Sequence, residues 1–433
     1  MARRNATAGP HGRGSRSNWF TLAVAFLIPA PVSPSPNPRS AAAGVGVRPR
    51  VMAARAPPAL PDELVEEVLL RVPPDDPARL MRAALACKPW RRLVAGPGFR
   101  RRFGERHRTP PVLGFLLNSF DDDDDADRGT TRFVPTCSFR PRRAVHRGWR
   151  AIDSRHGRVL LHREPWKLDD LKILAVWNPV ADELWELPAL PRYKEQFRSN
   201  IVVLCAAADE DCNHLDCSGG PFRVVVVGAD TGRMFAYAYS SEAGAWSEPV
   251  IVPDPGFVCQ TEGGVLAGNA LYFVLQLEDT TRVLEYNLNT REFAVINPPP
   301  MPHDHIFQLM TVSGGLRAIT IVCYTIDMWS KESGPDGDVV WARREGIELN
   351  RLIPVGAVLK TFNVFGGCVA YIGTNRGYFT ADLKTGQVRI LQEVRGGDDI
   401  LPYMSFYTPA LGVASTGESP RAGASSAQEN SSC

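Results

Sequence analysis

A chain of 433 residues with 44% hydrophobic side chains and nine Trp is long enough for one large domain beside a small one. A formal net charge of +2 excludes a uniformly polybasic or polyacidic protein, yet it hides two basic stretches. Residues 1–61 hold eight Arg and no acid, and Arg79 to Arg108 holds ten Lys/Arg against Glu105 alone. Nine Cys without regular spacing argue against a disulfide framework and for free thiols in a reducing compartment, so the chain is read as intracellular, in the nucleus or cytoplasm.

The first segment carries NWFTLAVAFLIPA at residues 18–30, an apolar run shorter than the roughly 20 residues that span a bilayer. Behind its Arg-containing start it fits a signal-peptide core, and the acid-free Arg/Ser composition equally fits an organelle transit peptide. A third reading makes residues 1–51 an upstream extension, since Met52 stands just before the first folded segment. PAPVSPSPNPRS at 29–40 is an extended, proline-rich linker. Residues 1–51 and 411–433 are expected to lie outside the folded domains.

Residues 60–94, LPDELVEEVLLRVPPDDPARLMRAALACKPWRRLV, divide into three short helices. Asp62 is the expected N-cap of the first, with Leu64, Val65, Val68 and Leu69 at helical spacing. VPPDDP ends it, because proline lacks an N–H and crowds the preceding turn. Asp76-Pro77 then restarts a helix carrying Leu80, Met81, Ala84, Leu85 and Cys87. Pro89 opens the third, with Trp90, Leu93 and Val94. Three helices this short cannot bury so many apolar side chains among themselves, so a following domain or a second protein must cover them.

LPDELVEEVLLRVP followed after a gap by ALACKPWRRLV resembles an F-box, through its Leu-Pro start, apolar helix and closing Cys-Lys-x-Trp. The resemblance covers residues 58–104. It implies docking on a small acidic adaptor of a cullin–RING ubiquitin ligase, with the C-terminal domain capturing the client protein. The positions it carries over as adaptor-binding are Leu60, Pro61, Leu64, Val68, Leu69, Leu80, Cys87, Trp90 and Leu93. The sequence departs from the pattern at Ala84 and Ala86, where larger aliphatics are common, and at Pro89.

Beyond residue 110 the chain repeats itself. Gly-Gly pairs stand at 263–264, 314–315 and 366–367, and a polar turn followed by an apolar residue begins at Asn178, Ser240, Asn287 and Asp382. The turn intervals become regular if ADEDCNHLDCSGG is a loop insertion and one degenerate unit lies within GGLRAITIVCYTIDMWSKESGPDGDVVWARREG. Asn, Asp and Gly suit such turns because they tolerate positive φ or bond their own backbone. Each unit reads as two hairpins, and hairpins that cannot cover their own faces stack in a ring. The expected fold is therefore α+β and multidomain: a three-helix F-box, then an all-β propeller of about six four-stranded blades over residues 110–410, beginning at PPVLGFLLN. WNPVADELWELPALP resembles the repeat behind the F-box of many plant proteins, which implies a kelch-like propeller.

Candidate chemistry is sparse. Asp121–Asp125 reads as a solvated hairpin tip rather than a cation site, since like charges in a row repel. Cys205, Cys212, His214 and Cys217 offer four zinc-ligand types but lack the Cys-x2-Cys pairing of structural zinc sites. His303 and His305 share a face of an extended segment without a third ligand. There is no Gly-x-Ser-x-Gly elbow and no Walker loop. No catalytic residue, cofactor or metal is expected, and the basic stretch from Arg91 carries no groove-reading motif of a nucleic-acid surface. Loops 205–220 and 330–338 are the expected client contacts. The alternative reading is a propeller scaffold whose F-box-like helices cap the ring.

Overall fold

The computed structural model describes residues 61–119, 129–163, 173–190, 198–206, 212, 214–215, 217–230, 232–253, 257–258, 263–277, 280–301, 306–322, 324–334, 338–344, 346–365, 369–383, 385–391 and 399–408. Leu60, Asp121–Asp125, His303, His305, the apolar run at 18–30 and both terminal segments lie outside them. The described residues form two compact units. One comprises residues 61–69 and 80–99 with Thr408; the other comprises 70–79 and 100–407.

Four helices stand at the front: α1 (Asp62–Leu69), α2 (Pro77–Ala86), α3 (Lys88–Ala95) and α4 (Pro97–His107). The amides of Leu64 and Val65 both reach the Pro61 carbonyl at 3.1 Å, so Pro61 occupies the cap position and Asp62 is the first helical residue. There its carboxylate faces the positive end of the helix dipole. Asp76 does precede α2 at its cap, and its carboxylate accepts from Arg79 Nε at 2.8 Å. Pro89 sits at the start of α3 behind the cap Cys87, a position where a missing N–H breaks no helical bond. The fourth helix corrects the count of three. Gly96 donates to the Leu93 carbonyl and stops α3, and Pro97 then opens α4. Phe99 and Phe103, one turn apart, are both buried.

Six antiparallel sheets follow, each with a four-stranded path. Blade 2 runs Arg150–Arg155, Arg158–Arg163, Ile173–Asn178 and Glu183–Glu186. Blade 3 runs Arg198–Cys205, Phe222–Asp230, Arg233–Ser240, then Ala245–Trp246 and Val250–Pro253 sharing one edge. Blade 4 has a divided first strand, Phe257–Val258 and Val265–Ala267, before Ala270–Leu277, Thr280–Asn287 and Phe293–Ile296. Blade 5 runs Ile306–Val312, Gly315–Val322, Thr325–Ser333, then Val339–Arg343 with Ile347–Glu348. Blade 6 runs Leu359–Phe365, Val369–Thr374, Gly377–Asp382 and Val388–Leu391.

Blade 1 joins the two ends of the domain. Asp399–Met404 supplies its first strand and pairs with Val112–Ser119, which pairs in turn with Thr130–Pro135 and Val145–Arg147. PPVLGFLLN therefore opens the blade's second strand, not its first. First strands of successive blades touch, as Asp399–Met404 does Arg150–Arg155 and Ile306–Val312 does Leu359–Phe365, so they line the centre of a six-bladed β-propeller.

The core follows from the two-residue period of a strand, which sends alternate side chains to opposite faces. In Phe222–Asp230, Phe222, Val224 and Val226 pack toward blade 2 with Leu160, Leu174 and Val176. Val225 and Val227 pack the other way, against Leu271, Phe273 and Leu275 of blade 4. Every pair of neighbouring blades encloses such an apolar layer, down to the smallest, where Phe115, Leu117, Tyr371 and Ile400 join blade 6 to blade 1. That is why these strands are apolar on both faces and why no single blade is self-sufficient.

The turns at Asn178, Ser240, Asn287 and Asp382 share one geometry. Each is followed four residues on by a backbone N–H donating to its carbonyl, from Asp182, Gly244, Arg291 and Gly386 at 2.7–2.9 Å. Those four residues have φ between 58° and 69°. The first side chain accepts from a backbone N–H within the turn in all four: Asn178 from Val180, Ser240 from Ala243, Asn287 from Asn289 and Asp382 from Thr385. The Gly-Gly marker is less uniform. Gly314 turns the first hairpin of blade 5, whereas blade 4 makes that turn at Gly268, four residues after its Gly-Gly pair. Gly264 is needed for a different reason, because a Cβ there would lie 2.3 Å from the Phe273 ring.

Candidate functional site

Helix α1 carries two apolar stripes. Val65 and Leu69 point inward and are buried, while Leu64 is 54% exposed and Val68 half-buried one turn later, behind an exposed Pro61. Helix α1 packs on α3, where Val94 is buried and Trp90 and Leu93 are half-buried. Helix α2 buries Leu80 to 1% exposure with Ala83 and Ala84, and leaves Leu85 at 77% exposure and Cys87 exposed. The carried-over set is thus divided: Pro61, Leu64 and Cys87 face solvent, Val68, Trp90 and Leu93 are partly covered, and Leu69 and Leu80 are internal. Leu85 is not among the carried-over positions. It sits off the buried stripe of its helix, which is the signal that marks it.

The loop between the first two strands of blade 3 gathers a second group. Cys205 ends the first strand and is buried, and the chain returns so that Cys212, His214 and Cys217 meet it. Their four ligand atoms all lie within 4.8 Å of one another. Cys205 Sγ is 3.8 Å from Cys212 Sγ, too far for a disulfide, and Cys217 Sγ is 4.0 Å from His214 Nδ1. The four stand between the ends of two paired strands, Cys205 and Phe222, and the fold brings them together.

The surroundings hold the loop in place. The amide of Cys205 donates to His156 Nδ1 at 3.1 Å, and the His156 ring stacks on His214 at 4.3 Å. Burial, with the neighbouring His214, pulls the His156 pKa down to about 3. A hydrogen bond with Cys205 and then burial push the Cys217 thiol up, and burial raises Cys212. Arg158 of blade 2 donates to the Cys217 carbonyl at 2.7 Å and to that of Gly220, and Asn178 donates to the Ser218 carbonyl at 3.1 Å. Leu215 packs beside Gly104, where a Cβ would come within 3.2 Å of it.

Strand direction alternates within a blade, so the loop at 206–221 and the third-to-fourth-strand connection at 334–338 open on the same face of the ring. The four repeated turns lie on that face too. Among the described residues, no helix is long and apolar enough to cross a membrane.

A family model of the F-box domain matches residues 58–102, about a tenth of the chain. The chain thus carries an F-box followed by a six-bladed propeller. A comparison with curated proteins finds no match. Among solved structures, TolB from Acinetobacter baumannii is similar at 12% identity and a TM-score of 0.34, over 54% of this chain and 52% of that one. A prolyl endopeptidase aligns at 11% identity and a TM-score of 0.32, over 65% of this chain and 41% of its own. The propeller domain of the Trilobed protease from Pyrococcus furiosus aligns at 9% and 0.38, over 66% and 93%. This chain therefore spans about half or less of the first two. Likeness at this level has no bearing on function.

Proposed function

We propose that this chain is the substrate receptor of an SCF-type cullin–RING ubiquitin ligase: its F-box docks on the acidic adaptor and its propeller holds the client. The observation that carries the reading is an F-box whose first helix keeps Leu64 in water beside Pro61, with Leu85 exposed on the next helix. Apolar side chains left in solvent on short helices are what a partner covers. Leu69 and Leu80, being internal, hold the helices in shape, and Val68, Trp90 and Leu93 contribute their uncovered edges.

The chain itself performs no chemistry in this reading. It raises the local concentration of the client near the transferring enzyme. The client contacts are the loops on the face that carries 206–221 and 334–338, since loops on a rigid ring carry specificity. The propeller would be of the kelch-like kind found behind plant F-boxes, acting in the nucleus or cytoplasm.

The test is co-purification of the full chain with the purified adaptor, beside a Leu64→Asp/Leu85→Asp variant. Both positions are exposed, so the variant folds. A complex with the unmutated chain that is lost in the variant supports the receptor. No complex with the unmutated chain overturns it in favour of a capped propeller scaffold.

A further inference from the structure

We propose that Cys205, Cys212, His214 and Cys217 bind a structural zinc ion that fixes the connection between the first two strands of blade 3. This site is independent of the ligase reading.

Geometry comes first. Zinc takes four N/S ligands as a tetrahedron, with bonds of about 2.3 Å to sulfur, and two sulfurs at the corners of that tetrahedron are then about 3.8 Å apart. Cys205 and Cys212 stand at that separation. The remaining pair, at 4.0 Å, needs only a few tenths of an ångström to close on an ion. Four protein ligands fill the coordination shell and leave no open position for substrate, so the site is structural rather than catalytic. Soft thiolates in a tetrahedral set favour zinc over magnesium, calcium or manganese.

The second observation is independent of the ligands. Arg158 is 1% exposed, and among the described residues no carboxylate pairs with it and its Nε and Nη1 have no hydrogen-bond partner. A buried guanidinium without a counter-charge is costly. Three thiolates around a divalent cation leave one excess negative charge. Arg158 is anchored on the carbonyl of Cys217, one of the ligands, which places its charge where that excess would sit.

Around these, the surroundings are those of a supported metal site. His156 accepts the Cys205 amide and stacks on His214, which fixes both ligands from behind. Asn178 and Arg158 tie the loop to blade 2, and Leu215, between two ligands in sequence, packs beside Gly104. An insertion of this length between two strands needs such a fastening.

The full chain is purified without chelator and its metal content measured by plasma mass spectrometry, then the metal is exchanged for cobalt(II). The expected result is about one zinc per chain and a cobalt spectrum with the intense d–d bands and sulfur charge-transfer band of a tetrahedral thiolate site. Cys212→Ser and Cys217→Ser each lower the retained zinc about tenfold or more under a competing chelator, whereas Cys137→Ser, outside the cluster, leaves it unchanged. The cobalt spectrum of the unmutated chain decides the matter even if the variants fold poorly. Iron in place of zinc, a six-coordinate cobalt spectrum, or a Cys205–Cys212 disulfide in the peptide map would each overturn the assignment.

Discussion

Asn118 of blade 1 pairs with the backbone of Ala151 in blade 2 through both ends of its amide: Nδ2 donates to the Ala151 carbonyl at 2.8 Å, and Oδ1 accepts the Ala151 N–H at 2.9 Å. The side chain thus imitates a strand partner where the sheets of two blades separate. Both residues are buried, and the Thr131 hydroxyl lies 2.7 Å from the same Oδ1. Asn118→Leu keeps the volume but takes the side-chain donor from the buried Ala151 carbonyl and leaves the Ala151 N–H to the Thr131 hydroxyl alone, at 2.9 Å. The expected loss is about 1–3 kcal/mol, read as a lower urea midpoint with an unchanged m-value. Asn118→Asp keeps the acceptor but sets a buried carboxylate 3.3 Å from the Asp399 carboxylate, so its loss is expected to be at least as large.

Two glycines separate backbone strain from steric exclusion. Gly244 has φ of 63° in the blade 3 turn, and no atom stands within 4 Å of the place a Cβ would take, so Gly244→Ala costs only the left-handed backbone, about 1 kcal/mol. Gly264→Ala drives a methyl into the Phe273 ring in the layer between blades 3 and 4. Its cost is larger, about 1–3 kcal/mol or more, and is partly relieved by Phe273→Leu. Urea denaturation of Gly244→Ala, Gly264→Ala, Phe273→Leu and the Gly264→Ala/Phe273→Leu double variant checks both, because coupling is expected between positions 264 and 273.

The repeat was legible where local chemistry defines it. Asn178, Ser240, Asn287 and Asp382 each cap their own turn, so the pattern survives in sequence. Among its described residues blade 5 shows no such turn between its third strand, ending at Ser333, and its fourth, starting at Val339; it was therefore recognisable only as a gap of double length. The closing strand Asp399–Met404 was not legible, because it pairs with residues almost three hundred positions earlier and nothing in either segment names the other. Cys205, Cys212, His214 and Cys217 were legible as residue types but not as a cluster, because they converge through the fold of an insertion rather than through a short motif. Leu64 and Leu80 look alike as apolar letters at helical spacing, and only packing shows which faces water.

His146 gives a pH dependence with a defined sign. Burial, then the nearby Arg143, lower its pKa from 6.5 to about 4, against the opposing charge of Asp182, and its ring lies 4.2 Å from that of Trp177. Between those two values the unfolded chain holds a proton that the folded chain refuses. Stability therefore rises with pH across the window, is complete above it, and is lost as pH falls from about 6.5 toward 4. His146→Phe is expected to flatten the slope of unfolding free energy between about pH 4.5 and 6.5 by up to about one proton. Urea midpoints measured in steps across that range for both proteins check it, and parallel curves would exclude the His146 contribution.

Leu80 and Leu85 stand five residues apart on α2 and are expected to fail in opposite ways. Leu80→Ala empties a buried site and costs about 2–5 kcal/mol locally, so the front helices loosen and adaptor binding falls with them. Leu85→Asp removes an apolar contact that the free chain leaves in water, so folding is unchanged within about 0.5 kcal/mol while adaptor affinity falls. Hydrogen exchange across residues 61–99 separates the two: faster exchange in Leu80→Ala, and an unchanged pattern in Leu85→Asp beside a weaker complex. If Leu85→Asp binds the adaptor as the unmutated chain does, the docking surface lies on the side of Pro61, Leu64 and Val68 alone. Leu64→Asp by itself should then abolish the complex.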